Sequence, residues 1–152
     1  MRISNRSFLN SLYSIISEDK KLLVAISGGI DSMVLLNLCS KNIPLKQLHG
    51  IHINHNLSSQ ANEYENFVKN RCSEKKIPLI VNTEKRKTFK GESVEMWGRR
   101  VRYRNFFKSL NDLSFDYLLT AHHSNDCLET ILMNIERGCF VRGLRGIIPK
   151  NE

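Results

Sequence analysis

The stretch VAISGGIDSMVLL (24–36) sets an apolar run against an abrupt break of glycine, serine and aspartate. The run LLVAI (22–26) has the length of a strand and no polar alternation, so both its faces expect burial. From Asp31 to about Ser40 the apolar residues Met33, Val34, Leu35, Leu36, Leu38 and Cys39 return with the spread of a buried helix. A strand buried on both faces and followed at once by a helix requires a parallel sheet covered by helices. The break between them holds more chemistry than a turn needs. One glycine would reverse the chain, whereas SGGIDS (27–32) supplies two, with two hydroxyls and a carboxylate.

The alternation continues. Phe8, Leu9, Leu12, Tyr13, Ile15 and Ile16 form a first amphipathic helix ahead of the strand. LHGIHIN (48–54), PLIVN (78–82) and DYLLTAH (116–122) read as further strands. Helices are expected around Tyr64–Cys72, from Val94 past Leu110, and from Asn125 onward, where Leu128, Ile131, Leu132 and Ile135 fall at helical spacing. The segments 83–93 and 137–152 read as charged or glycine-rich loops. The expected fold is α/β, an open parallel sheet with helices on both faces, in one domain over residues 1–152. No stretch is long and apolar enough to cross a bilayer, and the first twenty residues lack a signal-peptide pattern.

In such a sheet, ligands bind beyond the carboxyl ends of the strands. Three polar clusters fall there: SGGIDS, HINH (52–55) and HHSND (122–126). Gly28 and Gly29 let backbone amides approach a ligand, and the helix that follows presents unpaired N–H groups and a positive dipole end. With Ser27, Ile30 and Ser32 this makes a cradle for phosphate. Asp31 fits such a site through a bridging magnesium ion. The competing reading is a Gly-Gly turn with Asp31 as a helix cap. Asp126 and Glu129 stand three apart, on one face of their helix and near its N-terminus, where they suit an ammonium group; solvated surface acids are the alternative. Arg102 could offset negative charge on a phosphate, while Arg100 and Arg104 read as surface arginines. His52, His55, His122 and His123 lack the spacing of a zinc site.

The chain carries 23 basic and 15 acidic residues, a net charge of +8, which suits a polyanion such as nucleic acid. Lys85, Arg86, Lys87, Lys90, Arg99 and Arg100 are candidates for phosphate contacts. Phe89, in the loop, is the candidate for stacking on a base, whereas the helical period assigns Trp97 and Phe107 to the core. Cys39, Cys72, Cys127 and Cys139 form no CxxC pair and read as reduced thiols of a cytosolic protein.

SGGIDS resembles the pyrophosphate loop of the ATP-pyrophosphatase superfamily. The remaining motifs resemble those of the tRNA(Ile)-lysidine synthetases: HINHNL (52–57) for HVNHGL, RRVRY (99–103) for ARxxRY, LLTAHHSNDCLET (118–130) for LATAHHxDDQxET, and RGCFVRGLRGI (137–147) for RGxGxRGLxGI. The resemblance implies a Rossmann-like PP-loop domain that uses ATP and magnesium to join free L-lysine to C2 of the wobble cytidine of tRNA(Ile) with a CAU anticodon, through an adenylated tRNA. It implies that Ser27, Gly28, Gly29, Ile30, Asp31 and Ser32 bind ATP and the metal, with His52 and His55 beside the nucleotide. Arg102, Asp126 and Glu129 would serve lysine binding and catalysis. The bacterial cytosol or an organelle matrix is the expected location, and a homodimer is left open. Departures are Asn125 for an aspartate, Cys127 for glutamine, Asn56 for glycine and Phe140 for glycine. The chain stops ahead of the C-terminal tRNA-recognition domains of that family, so an N-terminal domain alone is expected. A tRNA thiolase and a nucleotide-binding module without catalysis are the alternatives.

Overall fold

The computed structural model describes residues 5–85 and 91–121. All but Ala121 belong to a compact unit that ends at Thr120. Its order is α1 (Asn5–Tyr13), β1 (Leu22–Ala25), α2 (Ile30–Asn42), β2 (Leu48–Asn54), α3 (Ala61–Glu74), β3 (Leu79–Thr83), α4 (Val94–Asp112) and β4 (Tyr117–Leu119), with a 3-10 turn at Leu45–Gln47 before β2.

The four strands form one parallel sheet in the order β3-β2-β1-β4. Leu22 pairs with Leu48 on one side and Tyr117 on the other, which fixes the register of β2, β1 and β4. Successive side chains of β1 point to opposite faces. Leu22, Val24 and Ile26 join a core with Leu12 and Ile16, Leu36 and Cys39 of α2, and Val68 and Cys72 of α3. Leu23 joins Ile51 and Phe106 of α4 on the other face, with Ala25, Ile53, Ile80 and Leu118 packed around them. Leu22, Leu23 and Val24 are therefore all buried, as an apolar run without alternation demands. Each such side chain contributes about 1.5–3 kcal/mol by leaving water.

Crossover handedness explains why α4 changes face. The path β1-β2-β3 steps one way along the sheet, and its right-handed crossovers place α2 and α3 on one face. The path from β3 to β4 travels back past β1, so the same handedness carries α4 to the opposite face. Among the described residues the expected fold is the one found.

Three local readings shift. Helix α1 ends at Tyr13, and Ile16 reaches the core from the turn after it. The third strand begins at Leu79 and extends to Thr83. Phe107, expected in the core, is 56% exposed, because Phe106 fills the core position at 3%. Trp97 is buried as expected. Gly50, unremarkable in the sequence, is closely packed: a Cβ there would lie 2.8 Å from Ile26 Cδ1 and 3.0 Å from Leu79 Cδ1, so those side-chain ends would have to shift. Among the described residues no helix is long and apolar enough to cross a membrane.

Candidate functional site

The strand order reverses direction at β1, so the crevice outside the carboxyl ends of β1 and β4 is the expected ligand position. The loop after β1 stands at that edge. Gly28 has φ +92°, a left-handed conformation that glycine alone adopts without strain. A side chain there would also press on α3, with a Cβ 3.1 Å from Tyr64 Cδ1 and 3.5 Å from Val68 Cγ2. Gly29 is different: it is the extended N-cap of α2, with φ −72° and ψ 161°.

The two hydroxyls are used inside the loop. Ser32 Oγ donates to the Gly29 carbonyl at 2.8 Å and accepts from the Ser27 amide at 3.2 Å. Because the single hydroxyl hydrogen of Ser32 is engaged, Ser27 Oγ is the donor in the 3.1 Å contact between the two oxygens. Ser27 Oγ also accepts from the Gly29 amide at 3.2 Å. Ser32 is buried while Gly29, Ile30 and Asp31 are exposed. The serines thus shape the cradle. In the first turn of α2, Ile30 and Ser32 have amides with no carbonyl one turn behind them in the helix. Asp31 is the acidic residue of that turn.

The end of β2 supports the loop. His52 is 4% exposed, and its Nδ1–H donates to the Ile26 carbonyl at 2.7 Å, tying β2 to the last residue before the cradle. Buried Asn54 donates from Nδ2 to Glu65 Oε2 at 2.7 Å and to Asn62 Oδ1 at 3.1 Å, and its Oδ1 accepts from the Asn56 amide at 2.8 Å. Asn56 has φ +49°. This accounts for its place where the resembling family has glycine, since asparagine tolerates the left-handed region better than other side chains. His55 packs edge-on against buried Trp97, with ring centroids 5.5 Å apart.

A third group closes the edge at the end of β3. Glu84 Oε1 accepts from Asn105 Nδ2 and from Arg104, each at 2.8 Å, and Asn82 donates to Asn105 Oδ1 at 3.0 Å. Reading from sequence missed Glu65, Glu84 and Asn105. Asn105 left a signal: it lies on the stripe Trp97, Val101, Asn105, and a polar residue on a buried stripe needs a partner. The structure also separates three arginines that look alike in RRVRYR. Arg100 makes a bidentate pair with Glu92 at 2.7 and 2.8 Å, and Arg104 pairs with Glu84. Arg102 forms no ion pair among the described residues and lies near enough to His55 to act on its charge.

Cradle, buttress and arginine thus stand where the parallel strands end. The PP-loop domain profile matches residues 2–152. The chain belongs to the ATP-binding PP-loop family. The chain is 38% identical over 150 residues to the tRNA(Ile)-lysidine synthase of Petrotoga mobilis, covering 92% of this chain and 47% of that protein. It is 38% identical to the tRNA(Ile)-lysidine synthase of Bacteroides thetaiotaomicron, covering 88% of this chain and 32% of that one. It spans half or less of these relatives. The U34-tRNA thiolase NcsA of Methanococcus maripaludis shares the fold, with TM-score 0.75 at 17% identity over 91% of this chain and 50% of that one.

His122, His123, Asp126, Cys127 and Glu129 lie outside the described residues, as do Phe89 and the basic residues Arg86, Lys87 and Lys90. Strand β4 pairs parallel with β1 up to Leu119.

Burial pushes His55 below the usual histidine range, with Arg102 and His52 adding to the effect against Glu84. Burial pushes His49 the same way, reinforced by Lys21. Each binds its proton more weakly in the folded than in the unfolded chain. Stability is therefore expected to fall as pH drops below about 6.5 and the unfolded chain takes up these protons first. A second loss should follow in the carboxylate range. There Glu65 is held low by Lys69 and Asn54, Glu84 by Asn105 and Arg104, and Asp116 by the Lys21 amide and Lys20. Thermal unfolding across pH checks this. The first loss should vanish in the double variant His49→Asn, His55→Asn; a first loss that persists there would assign it to other groups.

Proposed function

We propose that the protein containing this chain ligates lysine to C2 of the wobble cytidine of tRNA(Ile), through an adenylated tRNA intermediate. The observation that carries the reading is the PP-loop itself: a positive-φ glycine opening onto the N-terminus of α2, with Asp31 in its first turn. It is supported by the PP-loop match and by the relatives named as lysidine synthases.

In this reading the amides of Ile30, Asp31 and Ser32 hold the ATP phosphates against the dipole of α2. Magnesium fits Asp31: the ion takes one or two carboxylates and completes its shell with phosphate oxygens and water. Among the described residues Asp31, exposed in the first turn of α2, is the carboxylate that fits such a donor set together with the phosphates. Bound there, the ion would offset charge on the departing diphosphate. Attack of the cytidine C2 oxygen on the α-phosphorus forms the C2–O–AMP ester and releases diphosphate. The lysine ε-amine then adds at C2, the C2–O bond breaks, AMP leaves, and the amine loses a proton. Asp126 and Glu129 would hold the incoming lysine and take that proton, and Arg102 would offset charge on the adenylate.

Sulfur transfer, the competing chemistry, requires reactive thiols. The two cysteines among the described residues, Cys39 and Cys72, are buried, and burial pushes them up to about 12 and about 11, which disfavours the reactive thiolate at both.

The test uses the whole enzyme. Glu129→Gln should keep ATP affinity and lose most lysidine formation, roughly 100-fold or more for removal of a general base. Measuring incorporation of labelled lysine into tRNA(Ile) alongside ATP titration checks it. Incorporation at the normal rate would leave Glu129 as a solvated surface acid.

A further inference from the structure

Helix α4 carries an arrangement on its outer face that the chemistry above does not use. Arg99, Tyr103 and Phe107 are spaced i, i+4, i+8 and share one side of the helix. The Arg99 guanidinium lies 5.4 Å from the centroid of the Tyr103 ring. The Tyr103 and Phe107 rings are 6.3 Å apart with 35° between their planes. Tyr103 is braced from below by Phe106, edge-on at 6.0 Å and 71°, and Phe106 is a 3% exposed member of the core. The ladder is thus anchored to the sheet, yet Phe107 leaves 56% of its surface to solvent.

We propose that this Arg99–Tyr103–Phe107 ladder is a stacking platform for unpaired bases of the RNA substrate. The inference rests on the reading that the substrate is RNA. Charge favours nucleic acid over an apolar protein partner. The cores of protein interfaces are depleted in charge, whereas this helix carries Arg99, Arg102 and Lys108, none of which forms an ion pair among the described residues. Single-stranded sites combine such cations with aromatic faces that accept any base. The position also suits a strand leaving the active edge. Helix α4 follows β3 and so starts at the carboxyl edge, and its Arg102 lies near His55, just past β2. At 1.5 Å per residue Phe107 lies about 12 Å along the axis from Arg99, the length of about three stacked nucleotides.

The test is a titration of this chain with an RNA hairpin carrying an unpaired loop, and with a blunt RNA duplex, at two salt concentrations. Phe107→Ala should weaken hairpin binding about tenfold, leave duplex binding unchanged and keep the salt dependence, because stacking displaces no counterions. Phe107→Trp should restore affinity and Phe107→Leu should not. Arg99→Gln should reduce the salt slope by about one. Phe107 is exposed, so ATP binding should be unchanged in its variants and reports an intact fold. Hairpin affinity unaltered in Phe107→Ala, or fully retained in Phe107→Leu, would overturn the platform while leaving the RNA reading in place. Absence of any RNA affinity in the unaltered chain would overturn both.

Discussion

Replacing Asp31 with asparagine is expected to abolish the magnesium-dependent part of ATP binding while the fold persists. Asp31 sits in the first turn of α2, exposed, among the residues whose amides are proposed to receive the phosphates. Two negative partners would repel each other without a cation between them. Asparagine keeps the shape and removes the charge that holds the ion. Loss of a hydrogen-bonded charged partner costs about 1.5–3 kcal/mol, roughly ten- to a hundredfold in affinity. The fold should lose only the favourable interaction of a carboxylate with the helix dipole, about 0.3–1 kcal/mol. Calorimetric titration of ATP with and without magnesium, beside a thermal melt, separates the two. If Asp31→Asn binds ATP as tightly as the unaltered chain in magnesium, the metal is held elsewhere and the proposed role of Asp31 falls.

The second large effect concerns two adjacent glycines that a motif treats as equivalent. Gly28→Ala should destabilise the protein by about 1–2 kcal/mol, the cost of a left-handed residue with a Cβ, and should weaken ATP binding as well. At φ +92° the new methyl would also press on Tyr64 at 3.1 Å, so relief of strain must move the loop or α3. Gly29→Ala should be close to neutral. Its backbone is already extended, and its Cβ would meet only Ser27 Oγ, at an ordinary 3.4 Å. Urea unfolding of both variants with parallel ATP titration decides this. Equal losses in the two would mean that the loop geometry described here does not govern the site.

Period and glycine placement made much of the fold legible before any coordinates. LLVAI without alternation demands burial on both faces, and its repetition between helices demands a parallel sheet. These are local properties of the chain, because the hydrophobic period and the need to satisfy the backbone act over a few residues. The same locality made SGGIDS readable as a phosphate cradle, since a glycine turn opening onto a helix N-terminus carries its own donors.

What the local pattern left undetermined depends on partners distant in sequence. Trp97 and Phe107 both fitted a helical stripe, but only the packing of α4 on the sheet selects Trp97 and Phe106 for the core and turns Phe107 outward. Arg100, Arg102 and Arg104 differ only through Glu92 and Glu84, which reach α4 from the segment before it and the end of β3. His52 stood in the sequence as part of the polar HINH cluster; its bond to the Ile26 carbonyl, 26 residues earlier, follows from β2 lying beside β1. Gly50 leaves room for the side chains of Ile26, just past β1, and Leu79 of β3. By itself the sequence therefore determined the strands and helices, their parallel arrangement and the backbone chemistry of the PP-loop. The tertiary structure alone decided which hydroxyls, histidines, arginines and rings are exposed and which are engaged inside the fold, because a side chain's surroundings are set by the atoms that chain topology brings against it.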